Sequence, residues 1–433
     1  MKNVITILTI AMMALTVSCD GKLDIIPRTS IDPNEISIGD IETLLNGCYD
    51  AASFGSMQNR HLFFLMEDLS ADNLTVRTDG WGTADIDRNS IAVTNANVAR
   101  WWNQLFIIIY RTNSFLQVTN NYAESEFAEG RKKELVAEAR FIRAWAYYKL
   151  VTHWGGVPIM TEVTNDLVLR DSEADVWSFI AKELGEIEAD APRFTDASYV
   201  SQPAVWMMIA RVALIMGDNE KAKTYSKRLI DSSEFSLAND YSSIWQKSSK
   251  EMVMQWQATI SDPLSYGFFL SEIGRYEFPL DETLAEAFEE GDLRMASSVT
   301  ELSSPIGGFK YACNKYWTRG TGDDPWPVAR IAEAWLVYAE ASGYPAGLET
   351  LNSFRAVRGL GAVQVQSAAA FEDAILQERR VEFSCEGFRW TDLKRTGRTA
   401  EFVPNITGLS DKNLLYPIPQ TALDTNSNLT PNY

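Results

Sequence analysis

A mainly α-helical single domain, with tetratricopeptide-like helix pairs as its scaffold, an irregular loop-rich side and a few short strands, is predicted by three observations. Apolar residues recur at steps of three and four through most of the 433 residues. Residues 201–232 form a helix pair joined at Gly217-Asp218, with Val205, Ile209, Val212 and Met216 on one stripe and Ala222, Tyr225 and Leu229 on the facing one. Neither helix of such a pair buries its face alone, so neighbouring pairs are required. Residues 261–327, by contrast, are rich in aromatics and turn residues without long periodicity, and a stretch of that length inside a compact domain is usually functional or a lid.

Composition narrows the function classes. A hydrophobic content of 46% is ample for a large core, and a formal charge of −19 makes nucleic acid a poor partner. Lys2 precedes an apolar run from Val4 to Val17 that is too short to span a bilayer, so residues 1–18 read as a cleaved signal peptide. Leu15-Thr16-Val17-Ser18-Cys19 resembles a bacterial lipoprotein box, in which Cys19 takes the lipid; Thr16 stands where Leu is more usual. The alternative is a plain secretory peptide with Cys19 incidental. Cys48, Cys313 and Cys385 show no CxxC or Cys/His ligand spacing and read as small buried groups with at most one disulfide. No metal or cofactor site is expected.

In chain order, residues 22–37 form a polar tether with Pro27 and Pro33. Asp40 is expected to cap a helix through Ile41, Leu44, Leu45 and Tyr49. The acidic stretch Glu67-Asp68 to Asp72-Asn73 follows, and residues 75–97, rich in Gly, Asp, Thr and Asn, read as loop. A long helix runs from about Val98 to Asn120 with Trp102, Leu105, Phe106, Ile109 and Leu116 inward. The next, within Glu134–Ile159, is apolar nearly all round, so it lies inside the protein. Its Glu138, Arg140 and Arg143 must then find charge partners elsewhere in the chain. Trp154-Gly155-Gly156-Val157-Pro158 stops it. Asp171 or Ser172 caps a further helix through Val176, Ile180 and Leu184, and residues 251–256 read as a strand. Helix is expected again from Val328, with Ile331, Trp335 and Tyr338 buried, then over 348–358 and 368–383.

Several motifs stand in an order that resembles the SusD/RagB family of outer-membrane nutrient-binding lipoproteins. They are Glu138 with Arg140-Phe-Ile-Arg-Ala and the Trp154-Gly-Gly-Val-Pro exit; Arg330-Ile-Ala-Glu-Ala-Trp-Leu-Val-Tyr-Ala-Glu; Leu351-Asn352 with Arg355 and Arg358; Ile375-Leu-Gln-Glu-Arg-Arg-Val-Glu-Phe; Glu386-Gly-Phe-Arg-Trp with Asp392 and Arg395; and the ending Tyr416-Pro-Ile-Pro. The terminal Pro431-Asn432-Tyr433 lacks the family's usual Gln and Gly. The resemblance implies a single SusD-like domain over 19–433, with an N-terminal helical part at 19–232 and a C-terminal part at 233–433. It also implies a lipid-anchored, surface-exposed outer-membrane protein that binds a glycan and hands it to a TonB-dependent, SusC-like transporter. A peptide-uptake protein of the same family and a glycan-cleaving enzyme are the alternatives.

Enzymatic signatures are missing from the sequence: there is no HExxH, P-loop, GxSxG or dinucleotide fingerprint. The cluster Glu378, Arg379, Arg380, Glu382, Glu386, Arg389 and Asp392 could supply paired carboxylates, but it reads better as a buried ion-pair network, since Gly387 argues against one continuous helical face. His153, at the end of its helix, reads as a core or capping residue. The expected ligand site is aromatic. Flat rings pack on the C–H faces of sugars while Asn, Asp and Arg meet the hydroxyls. Trp81, Tyr266, Phe269, Tyr276, Tyr316 and Trp317 lie in the two nonperiodic stretches and are its candidates; Trp326, between two prolines, is taken as structural.

Overall fold

The computed structural model describes residues 36–55, 60–77, 82–245, 249–316, 318, 321–403 and 414–432. Helices form where the apolar spacing places them: α1 (Ile41–Ala52), α2 (Arg60–Ser70), α3 (Ala96–Asn120), α4 (Arg131–Trp154), α5 (Glu173–Ile187), and the pair α6 (Gln202–Ile215) and α7 (Asn219–Ile230). Side-chain acceptors start three of them. Asn95 takes the amides of Asn97 and Val98, Ser172 that of Asp175, and Asp218 that of Lys221, each satisfying a donor the helix cannot. Asp40 differs from expectation: it makes no cap bond to α1 and instead accepts from Ser37 across a short 3₁₀ turn, Ile38–Asp40.

Helix α4 is the hub. Its residues from Ala137 to Trp154 are buried except Arg140, and α3 and α5 pack along it. The charges on this apolar rod are paired as expected. Glu138 accepts from Tyr49 at 2.7 Å and Arg131 at 3.3 Å, Arg140 reaches Glu183 and Glu186, and Arg143 reaches Glu183 and Asn113. Gly155 ends the helix at φ 71, and a Cβ on Gly156 would stand 2.2 Å from the Asp171 carbonyl. The tight exit therefore depends on both glycines. The C-terminal segment docks on it, with Trp154 Nε1 donating to Pro417 O at 3.0 Å and Tyr416 N to His153 O at 2.6 Å.

In the second half, β1 (Met252–Trp256) does form. Its antiparallel partner is β4 (Trp326–Arg330), in a register that pairs Trp256 with Trp326 and Met252 with Arg330. Helix α8 (Ile331–Ser342) thus begins at Ile331 and not at Val328. Residues 326–330 are all buried, and their backbone hydrogen bonds go to β1. Within α8 the buried stripe is Leu336, Val337 and Ala339, whereas Trp335 and Tyr338 are half-buried. Between the two strands, β2 (Val299–Ile306) and β3 (Phe309–Cys313) make a hairpin whose turn, Gly307-Gly308, has φ 62 and 93. A two-residue turn with both φ positive matches the twist of its strands, and only glycine takes it without cost. Helices α9 (Leu348–Val357), α10 (Ala368–Glu382) and α11 (Arg389–Arg395) complete the scaffold, with α8 packing on α7.

Behind β4 lies the ion-pair network read from the sequence. Arg330 donates to Glu386 at 2.8 and 2.9 Å, Glu382 at 2.8 Å and Glu251 at 3.0 Å; Arg358 donates to Glu382 and Glu251; and Lys315 donates to Glu386 at 2.8 Å. Every member is buried. Burial alone would raise the Glu382 carboxyl, yet Arg358, Arg330 and Arg294 outweigh it and hold the group well below the usual carboxylate range. Helix α10 ends at Glu382, so Glu386 joins from the following turn.

Candidate functional site

Backbone pairing gathers the nonperiodic stretches at one edge. Leu74 bridges Leu280, Thr75 N donates to Pro279 O at 3.1 Å, and Arg77 N donates to Glu277 O at 2.9 Å. Residues 74–77 are thereby fixed beside residues 277–280. The Arg77 guanidinium adds bonds to the carbonyls of Tyr276 and Arg275 at 2.6 and 2.8 Å. Ser265 N donates to Gly322 O at 3.0 Å, and Thr318 N, just after Trp317, to Asp324 at 2.9 Å. Arg60 clamps the start of this region to α2 through Gly55 O, Pro263 O and Asp262, each at 2.6 Å.

Trp81, Trp317 and Cys19 lie outside the described residues. Tyr266 opens the short helix Tyr266–Leu270. Phe269 is half-buried, its ring stacked 3.5 Å from that of His61 at 10°, with the Arg275 guanidinium 5.7 Å from its centre. Burial first, then Arg275 and Arg60, lower the His61 pKa to about 3, so this ring is a neutral platform. Tyr276 and Tyr316 correct the expectation, because both are core residues. Tyr276 is buried beneath Arg77 and donates to Tyr311 O at 2.8 Å. Tyr316 is buried, stacks on Trp326 and donates to Cys385 O at 2.6 Å. The side chains that do face outward here are Phe268, 39% exposed, and the aliphatic Ile260 and Ile273, 70% and 72% exposed. Adjacent residues on a helical turn point in different directions, which separates Phe268 from Phe269.

Next to this edge, Asn46, Tyr49, Asp50, Ser53, Ser198, Tyr199, Trp256, Gln257, Thr259 and Asp262 line a groove of about 230 Å³ that the sequence reading missed. Trp256 is buried at its base, and Tyr49 meets it edge-on at 6.3 Å. Tyr199, 50% exposed, stands edge-on to Tyr49 at 5.7 Å. Tyr49 is locked, donating to Glu138 at 2.7 Å and accepting from Val200 N at 2.9 Å. Burial and then Glu138 push its phenol pKa well up, so it stays protonated. Asp50 is held by Arg111 at 3.0 Å and Asp262 by Arg60. An exposed ring among amide, hydroxyl and carboxylate groups suits a polyhydroxylated ligand better than an apolar one. Among the described residues no cluster of three or more His, Cys, Asp or Glu could hold a metal ion.

Fold and site together define a helical-repeat scaffold that presents an aromatic, polar-rimmed loop edge. The chain belongs to the SusD/RagB family. The family described as SusD matches residues 304–433, and one described as "Starch-binding associating with outer membrane" matches residues 23–214. SusD-like protein P38 of Formosa agariphila is 23% identical, over 96% of both chains. A SusD superfamily protein of Bacteroides vulgatus superposes with a TM-score of 0.82 at 19% identity, covering 91% of this chain and 98% of its own. A laminarin-binding SusD-like protein superposes with a TM-score of 0.81 at 22% identity, again covering 91% and 98%.

Proposed function

We propose that this protein is a surface-exposed lipoprotein of the outer membrane that binds an oligo- or polysaccharide and delivers it to a TonB-dependent transporter. The observation that carries this reading is the loop edge itself. Residues 75–77, 265–280 and 322 are drawn together by backbone hydrogen bonds, and Thr259 and Asp262, just ahead of them, line the groove with Tyr199 and Asn46. The family description names starch binding at the outer membrane, and a structural neighbour binds laminarin; both support a glycan as ligand. The acidic side chains that could serve as a hydrolytic pair in α10 and the following turn are consumed by buried arginines, which supports binding without covalent chemistry. Cys19 supplies the lipid anchor.

Calorimetric titration of the protein with a panel of soluble glycans, laminarin and starch oligosaccharides among them, tests this. Binding to at least one, with no new reducing ends after prolonged incubation, is expected. Binding to peptides and to no glycan would replace the reading with peptide uptake, and the release of reducing ends would replace it with hydrolysis.

A further inference from the structure

We propose that the bound glycan is an uncharged chain of several sugar units that lies along α1 and fills a second hollow beyond Tyr199; the inference rests on the glycan reading above. The second hollow, of about 570 Å³, shares Asn46, Tyr49 and Tyr199 with the groove of about 230 Å³, so the two meet at these three residues. Helix α1 lines both. Glu42, Leu45, Asn46 and Tyr49 line the second hollow, and Asn46, Tyr49, Asp50 and Ser53 the first. Steps of three and four place all of them on one side of the helix. From Glu42 to Ser53 that side runs for about 16 Å at the rise of an α-helix, which is longer than a single sugar ring.

The middle of this path is held in place before any ligand arrives. Ser198 and Val200 are buried on either side of Tyr199, which leaves the ring between them turned outward. Ser198 N donates to Asp196 at 2.7 Å, Val200 N to the Tyr49 hydroxyl at 2.9 Å, and Gln255 N to Ala197 O at 2.8 Å. Gln202 N closes the loop on Pro192 O at 2.7 Å. Tyr199 is thus a fixed platform reached from both hollows, and little freedom is lost when the C–H face of a sugar packs on it. The polar groups of the second hollow set the class of chain. Arg131 is shared among Glu42 at 2.9 Å, Glu134 at 3.1 Å and Glu138 at 3.3 Å. Arg193 is exposed and makes no ion pair among the described residues, and the exposed Asn46 amide makes no hydrogen bond among them. This guanidinium and this amide are available to ring hydroxyls. Two guanidinium groups stand against three carboxylates here, in a protein of formal charge −19. A uronate or sulfated chain meets repulsion in such a field, and a neutral chain does not.

The protein is titrated calorimetrically with the disaccharide and the hexasaccharide of the laminarin, starch, cellulose and mannan series, and with hexagalacturonate as the acidic probe. A neutral hexasaccharide is expected to bind at least about tenfold more tightly than its own disaccharide, and hexagalacturonate to bind more weakly than either. Arg193→Ala is expected to weaken the hexasaccharide about tenfold, the loss of a hydrogen bond to a charged group, and so to bring the two Kd values together. Glu42→Gln is expected to narrow the same ratio. Both side chains are exposed, so thermal melts of the variants should match the wild type. If a neutral hexasaccharide binds and its ratio to the disaccharide is the same in the wild type and both variants, the second hollow is not part of the path, while the glycan reading stands. Tightest binding of hexagalacturonate overturns the uncharged chain and likewise leaves that reading in place. Binding of no saccharide overturns this proposal together with the reading on which it rests.

Discussion

Arg143 on α4 and Glu183 on α5 form a buried fork, with Nε and Nη2 both on one carboxylate oxygen at 3.0 and 2.5 Å, while Nη1 reaches Asn113 on α3 at 2.7 Å. One cation therefore ties three helices. Removing it strands Glu183 in the core, and Arg143→Ala is expected to cost roughly 3–5 kcal/mol, the usual penalty for breaking a buried pair. Urea unfolding with an unchanged slope and a lowered midpoint checks this; an unmoved midpoint would place the pair outside the energetics of the core.

Acid should destabilise the protein earlier than carboxylate titration alone would. His153 is fully buried, with Nδ1 2.8 Å from Lys149 O, and burial, with help from Lys149 and Lys394 and against Glu67, lowers its pKa to about 4. Between an unfolded value of about 6.5 and that folded value the unfolded chain binds more protons. The contribution is thus complete above about 6.5 and disappears as pH falls through the folded value. A shift of this size is worth on the order of 3 kcal/mol. His61, lowered to about 3, acts in the same direction. Asp68 opposes both, because burial raises its pKa to about 6 and its contribution is lost as pH rises. Urea stability at pH 7 and 4.5 is expected to differ less in His153→Gln than in the wild type. An identical difference in both proteins would remove His153 as a source.

Much of the scaffold was legible because a buried stripe opposite a polar face leaves a period in the sequence. Helix α2 was not read, and the reason is visible in it: all eleven residues from Arg60 to Ser70 are buried, so no polar face marks the period. The start of α8 was misplaced because no turn residue separates it from β4; Arg330 changes conformation at the boundary, at φ −125 and ψ 151. The candidate loop edge was legible only as a region. Tyr276 and Tyr316 are drawn inside by Tyr311 O and Cys385 O, partners that local spacing cannot reveal. The groove escaped notice because Asn46, Tyr199 and Asp262 come from distant parts of the chain.

Attachment is expected to depend on Cys19 alone. Acyl chains contribute about 0.8 kcal/mol per buried methylene, and no polypeptide contact of the folded domain is needed to match them. Cys19→Ala is expected to fold with the wild-type melting temperature and to leave the membrane fraction. Retention of the variant in washed outer membranes would assign the attachment to another part of the chain.

Ligand binding should separate from stability along the line that burial draws through the aromatics. Tyr199 presents half its surface to solvent, so Tyr199→Ala is expected to change stability by no more than about 0.5 kcal/mol, as surface substitutions usually do. Trp317→Ala, at a position the sequence reading assigns to the ligand site, is expected to behave alike. Each should weaken binding by roughly 2 kcal/mol, the loss typical of an aromatic anchor. Tyr316→Ala is expected to do the reverse: its ring is stacked on Trp326 in the core, and its truncation should cost about 3–5 kcal/mol of stability. The contrast is needed because unfolding also abolishes binding. Titration of all three variants with the soluble glycan that binds the wild type, beside thermal melts, decides the matter. If Tyr199→Ala and Trp317→Ala both bind normally, the ligand lies away from this edge; if only Trp317→Ala is impaired, the groove between α1 and residues 256–262 is not part of the site.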